Sequence, residues 1–152
     1  ALPIWLINNP ILYISSYIIK NKTKYYELLQ KVRTQNDWEN WIVFILKSIE
    51  ITSIETLNLI KSIIELMNET MEYCKLKLPK NIYSKELVEL LFYQPYTKIE
   101  YLVNAGIGER RTASKYLHEL EKIKVVSSFQ IWKEKIFVNE KLYRLLKNKS
   151  DT

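Results

Sequence analysis

Residues 97–138 read TKIEYLVNAGIGERRTASKYLHELEKIKVVSSFQIWKEKIFV, and the centre of this stretch, Asn104-Ala105-Gly106-Ile107-Gly108, decides the fold. On one side Thr97 is placed to cap a short helix through Tyr101, Leu102 and Val103. On the other, Ala113, Leu117, Leu120 and Ile123 fall on one face of a longer helix. Two helices joined by a tight turn with a central glycine form the helix-turn-helix signature. Gly106 can take the left-handed backbone conformation that the turn needs. Ile107 is placed to fill the angle between the helices, and Ala113 is small enough for them to cross closely. Downstream, Val125–Phe129 and Lys135–Val138 read as two strands around a polar tip at Trp132-Lys133-Glu134, and a last helix follows over Glu140–Lys147. Upstream, Ser84 caps a helix over Lys85–Phe92 that stops at Gln94-Pro95. The expectation is a winged helix-turn-helix with a small β-hairpin over residues 84–149.

Working back toward the N-terminus, Pro79-Lys80-Asn81 marks a linker over 79–83, preceded by a helical segment over 1–78. Tyr25, Leu28, Leu29 and Val32 sit at helical spacing. Asn36-Asp37 reads as an N-cap opening a longer pattern: Trp38, Trp41, Ile42, Ile45, Ile49, then Leu57, Ile60, Ile64, Met67 and Met71. One long helix fits, as do two with a soft joint near Ile51–Ser53. Trp38, Trp41 and Phe44 are expected in the core. The fold class expected is mainly α, with a helical N-terminal half.

Ala1–Ile19 carries no charge, yet Pro3, Pro10, Asn8-Asn9 and Ser15-Ser16 oppose a membrane span. The reading is a short apolar segment, a turn at Asn8-Asn9-Pro10, and a helix with Pro10 in its first turn. The chain begins at Ala1 without a methionine, as a processed form or a piece of a longer protein would.

Composition removes most enzyme classes. Two glycines cannot build a phosphate-cradling glycine loop, and one histidine with one cysteine cannot build a Cys/His zinc site. The lone Cys74 excludes an internal disulfide, which suits a reducing cytoplasm, the expected location. No catalytic residue, metal site or cofactor is expected in this chain, and no membrane partner.

The net charge of +6 divides into +2 over residues 1–80 and +4 over 81–152. If the helix after the glycine turn reads double-stranded DNA, its early outward residues do so. Arg110 and Arg111 suit guanine edges or phosphates, Ser114 and Lys115 suit phosphates, and Lys133 and Lys135 on the wing reach a neighbouring backbone. Opposing this, Glu109, Glu119 and Glu121 share the helix, Glu134 sits in the wing, and the wing has no arginine. Winged helices also serve as plain protein-docking modules, and the charge balance tilts toward that use. His118 reads as a surface or packing residue.

The order of segments resembles the tail of the Fic (filamentation induced by cAMP) family. Pro10–Ser15, Lys24–Leu29, Val32-Arg33 and Asp37–Leu46 are similar to its "P-x-L-Y-x-S-x-Y", "Y-Y-x-L-L-x-x-V-R" and "D-W-E-x-W-x-x-F-x-L" segments, the Trp-Glu-x-Trp helix being the most specific. Many members then carry a C-terminal winged helix. The resemblance implies a parent that transfers AMP from ATP to a hydroxyl side chain of a target protein, through a His-Pro-Phe…Gly-Asn-Gly-Arg loop. That loop is absent: the one histidine precedes Glu119, and no Gly-Asn-Gly occurs. The chain therefore reads as the part downstream of the catalytic loop. Ala1–Ile19 would then pack against Fic helices, or be covered by a second copy in a homodimer or by its own refolded segment, with Trp5, Leu6 and Tyr13 shielded.

Two functions follow. The chain is the non-catalytic C-terminal region of a Fic-type AMP-transferase, its winged helix docking targets, dimerising or binding DNA. Alternatively it is a DNA-binding transcriptional regulator with a helical effector half. The partners implied are DNA, a target protein or the Fic catalytic core.

Overall fold

The computed structural model describes residues 14–132 and 134–150, with only the backbone of 148–150. The apolar segment and turn expected before residue 14, with Trp5, Leu6 and Tyr13, lie outside the described residues, as does Lys133. The chain divides into two compact units, Ala1–Ile60 and Lys61–Thr152. Among the described residues no helix is long and apolar enough to cross a membrane.

The first unit holds α1 (Ile14–Lys20), α2 (Lys22–Gln35) and the first part of α3, which runs unbroken over Trp38–Lys77. No joint interrupts α3 at 51–53. Asn36 closes α2 in the left-handed conformation at φ 55°, its N–H reaching the Val32 carbonyl. Asp37 then opens α3 by accepting from the Asn40 N–H at 3.4 Å and the Asn40 side chain at 2.8 Å. These bonds to the charged form hold the Asp37 carboxyl below its usual range. The local core is aromatic: Tyr17 meets Phe44 at 5.6 Å between ring centres, and Tyr25 meets Trp41 at 4.9 Å.

The buried line of α3 differs from the expected one. Trp38, expected in the core, is 53% exposed and donates its indole N–H to Asn36 Oδ1; Ile42 and Leu57 are also more than half exposed. Ser48, Thr52 and Thr70 are buried instead. Each donates its hydroxyl to a carbonyl one turn back, at 2.6, 2.6 and 2.7 Å. A hydroxyl satisfied within its own helix loses most of the penalty of burial, so these positions pass as core despite reading as polar.

The second unit begins with the later turns of α3, which bury Ile63, Cys74 and, just past the helix end, Leu78. After Pro79, α4 (Lys85–Leu90) starts where Ser84 Oγ accepts from the Leu87 N–H at 3.1 Å, and it buries Leu87 and Val88. Ser84→Ala is expected to destabilise this unit by about 1 kcal/mol in urea denaturation, the typical worth of an N-cap. A loss too small to resolve would mean that tertiary packing alone holds α4.

Next come β1 (Tyr96–Thr97), α5 (Ile99–Asn104), α6 (Arg110–Lys122), β2 (Ser127–Ile131), β3 (Glu134–Val138) and α7 (Glu140–Ser150). Gly106, at φ +73°, closes α5: its N–H reaches the Val103 carbonyl and the Ile107 N–H reaches Leu102, both at 3.0 Å. That pair of bonds is the Schellman closure, and it turns the chain from α5 into α6 as expected. Lys124 closes α6 in the same way at φ 59°, with Val125 N–H on Leu120.

Thr97 corrects one expectation. It is not a cap; Lys98 holds that position without a side-chain hydrogen bond. Thr97 pairs with Phe137, so the hairpin gains a third strand in a sheet of order β1-β3-β2, all antiparallel. Its hydroxyl is buried without a hydrogen-bond partner among the described residues. The element order is helix–strand–helix–turn–helix–hairpin, so the helices, turn and hairpin expected from the sequence are present and β1 is added to them. Leu102, Ala113, Leu117, Leu120, Phe137 and Leu142 are essentially inaccessible and form the core of this unit. Asn139 closes it below, accepting the Leu142 N–H at 3.2 Å to start α7 while its own N–H reaches Pro95 at 2.9 Å.

Candidate functional site

Helix α6 presents two faces because Ala113, Leu117 and Leu120, at i, i+4 and i+7, are drawn into the core. Arg110, Arg111 and Lys115 are left exposed, and among the described residues none has a carboxylate oxygen within 4 Å. Ser114 lies half-buried beside them. The helix starts at Glu109, whose side chain makes no capping bond, so the first amides of α6 keep their positive end of the helix dipole uncovered.

The acidic residues expected to oppose this patch are mostly committed elsewhere. Glu119 accepts from Lys122 at 2.6 Å, one turn along the same helix. Glu134 of the hairpin pairs with Lys98. Glu121 turns toward the hairpin, where it receives the Ser128 hydroxyl, the Ser128 N–H at 3.3 Å, His118 Nδ1 at 3.1 Å and Lys135 Nζ at 3.6 Å. Glu109, at the start of α6, is exposed and has no ion-pair partner among the described residues.

Lys135 is therefore not the free wing cation that the sequence suggested. It is half-buried, tied to Glu121, and lies 5.2 Å from the centre of the Phe137 ring. A cation held by both a carboxylate and an aromatic face gives little to a distant phosphate. Of the six candidates, the structure brings Arg110, Arg111, Ser114 and Lys115 together, sets Lys135 apart, and leaves Lys133 undescribed.

A serine, a histidine and a carboxylate meet at this clamp, but in an order that does not activate a nucleophile. Ser128 gives its hydroxyl to Glu121 and not to the imidazole. The arrangement fastens α6 to the hairpin. The Ser128 hydroxyl, then His118 and Lys135, hold the Glu121 carboxyl down at about 2 against a usual 4.5. A carboxyl with a lowered folded-state value stabilises fully above about pH 4.5, and the contribution disappears as pH falls toward 2. With solvent screening this amounts to about 1 kcal/mol. Glu121→Gln is expected to flatten that segment of the stability–pH curve measured by urea denaturation; an unchanged curve would show that the clamp does not hold in solution.

Cys74, fully buried in α3, is pushed up to about 11 by desolvation, so its thiol stays protonated and inert at neutral pH. Among the described residues no three His, Cys, Asp or Glu side chains gather in a way that would hold a metal ion.

Residues 66–142, half of the chain, match the family described as Protein adenylyltransferase SoFic-like, C-terminal domain. The chain belongs to that family. In this SoFic-like C-terminal domain the helix-turn-helix, the three-stranded sheet and the start of α7 all lie inside the matched stretch. The Asp37–Leu46 block, which carried the most specific part of the Fic resemblance, lies outside it. The match itself rests on residues 66–142 alone.

The residues that sequence reasoning missed are Glu121 as a clamp and Phe129 and Ile131 as an apolar surface. Alternation in Phe129-x-Ile131 and Ile136-x-Val138 was the available signal for the latter.

Proposed function

We propose that this chain is the recognition part of a Fic-type adenylyltransferase, without a catalytic centre of its own, and that α6 lays Arg110, Arg111 and Lys115 against the phosphate backbone of duplex DNA. The observation that carries the reading is the contrast within one unit. The carboxylates later in α6 and in the hairpin are paired, whereas three cations on the early outward turns of α6 have no carboxylate partner among the described residues. The position suits the role, because the second helix of a helix-turn-helix enters the groove with its N-terminal residues leading. Contact here positions or regulates AMP transfer performed elsewhere in the parent protein.

The test is titration of the full chain with a random-sequence duplex across a salt series. Binding that weakens with salt supports the reading, and Lys135→Ala should leave the affinity unchanged, since that charge is already held by Glu121. A Lys135→Ala loss as large as that of Lys115→Ala would overturn the geometry on which the reading rests. Absence of binding at low salt would remove the DNA contact altogether.

A further inference from the structure

Among the described residues Trp132, 95% accessible, is the most exposed of the large apolar side chains. Ile131 pairs with Glu134, so the chain reverses over the two residues between them, and Trp132 is the first of these. It sits at φ 56°, in the left-handed region. Hairpin turns of this length require that conformation, and asparagine or glycine normally supplies it, because little resists them there. A bulky ring at such a position is disfavoured twice, by its backbone conformation and by its contact with water. The turn is nevertheless braced, since the Gln130 side-chain amide donates to the Trp132 carbonyl at 3.1 Å. Local structure gives no reason for an indole at this point; a partner that covers it does.

The rest of the unit says which partner. The hairpin is fixed to α6, because Glu121 receives both the Ser128 hydroxyl and the Ser128 N–H. On α6, Arg110, Ser114, His118 and Glu121 are spaced i, i+4, i+8 and i+11, which is one row of the helix. The flank that holds the hairpin therefore begins with Arg110 of the cationic patch. Trp132 lies four residues beyond Ser128, a reach of about 13 Å along the strand. With α6 in a major groove about 12 Å wide, that reach ends at the neighbouring minor groove. The minor groove, about 6 Å across, admits a side chain but not the two-stranded ribbon itself. Charge is favourable as well. Glu134, which closes the turn, is held by Lys98 and does not meet the phosphates bare.

We propose that Trp132 is an aromatic wedge for duplex DNA: with α6 on the phosphates, the hairpin lays the indole into the adjacent minor groove against a base step. Apolar wedges of this kind partly unstack a step and bend the duplex. The inference rests on the DNA reading of α6, but the contact is apolar and reads out separately from the charges.

The experiment titrates the full chain and Trp132→Asn with duplex DNA across a salt series. Asparagine suits the left-handed turn, so the variant is expected to keep or raise the stability of the second unit in urea denaturation. Its affinity falls about tenfold. The fall is the same at every salt concentration and the slope is unchanged, because an apolar contact releases no counterions. Trp132→Phe, which keeps a ring, should recover most of the affinity. A duplex carrying TA steps, which unstack easily, is expected to bind the unaltered chain about fivefold more tightly than a G·C duplex of the same length. Trp132→Asn should lose that preference. The duplex also quenches tryptophan emission, and Trp132→Phe removes the change; the other tryptophans, Trp5, Trp38 and Trp41, belong to the first unit. Full affinity in Trp132→Asn, or equal binding of the two duplexes, would overturn the wedge and leave the α6 reading standing. So would a variant less stable than the original chain, because the ring would then be packing within the unit. No binding of the unaltered chain removes both readings. A dimer in sedimentation that Trp132→Asn dissolves would make a second copy the partner and overturn the proposal.

Discussion

Phe137→Ala is expected to destabilise the second unit by about 3–5 kcal/mol, the usual cost of truncating a buried phenylalanine. Phe137 is wholly inaccessible and sits on the central strand β3, paired with Thr97 on one side and Ser128 on the other. The His118 ring packs edge-on against it at 5.7 Å, and Lys135 covers it at 5.2 Å. Truncation therefore opens a cavity at the point where sheet and α6 meet. The close-packed surroundings can collapse into it only in part. Domains of this size are stable by roughly 5–15 kcal/mol, so the variant loses a large share of the total. Urea denaturation followed by circular dichroism measures it. A loss below about 1 kcal/mol would mean that the sheet is not anchored to α6 through this ring.

The second large effect is electrostatic. Three phosphate contacts give a slope of about −2.7 for the logarithm of the DNA association constant against the logarithm of salt concentration. Affinity of the unaltered chain should then fall about 40-fold between roughly 50 and 200 mM salt. The triple variant Arg110→Ala/Arg111→Ala/Lys115→Ala is expected to lose nearly all of that slope, and each single replacement about 0.9 of it. All three side chains are exposed and without an ion-pair partner among the described residues, so the variants should keep the stability of the original chain. A triple variant that retains the slope would place the phosphate contacts on another surface, and the α6 reading would fall.

The sequence disclosed most where the controlling physics is local. Ser84 before an apolar-periodic run had to act as a cap, because its hydroxyl meets the orphan N–H groups of its own helix. Gly106 closes α5 through bonds to Val103 and Leu102 within the same turn. Ala113, Leu117 and Leu120 mark the inward face of α6 because helical spacing leaves no other choice. The patch of Arg110, Arg111 and Lys115 was legible for the same reason, being what remains when that face is assigned.

Reading failed where a residue's role depends on a distant partner. Thr97 has the chemistry of a cap, but Phe137, forty positions away, offers it a strand. Trp38 has the chemistry of a core residue, yet hydroxyls bonded to their own helix let Ser48 and Thr52 take the buried positions on α3. Lys135 counted as a wing cation until the hairpin brought it against Glu121.

By itself, then, the sequence determined the order of the helices, the glycine turn and the hairpin after residue 84 but not β1, the inward and outward faces of α6, and a tie to the Fic-type adenylyltransferases, all matters of neighbours within a turn or of motif. The tertiary structure alone decided which charges stay free and that Trp132 stands uncovered at the turn of the hairpin. Neutralisation and burial are properties of pairs, and those pairs exist only once β3 has folded between β1 and β2 and against α6.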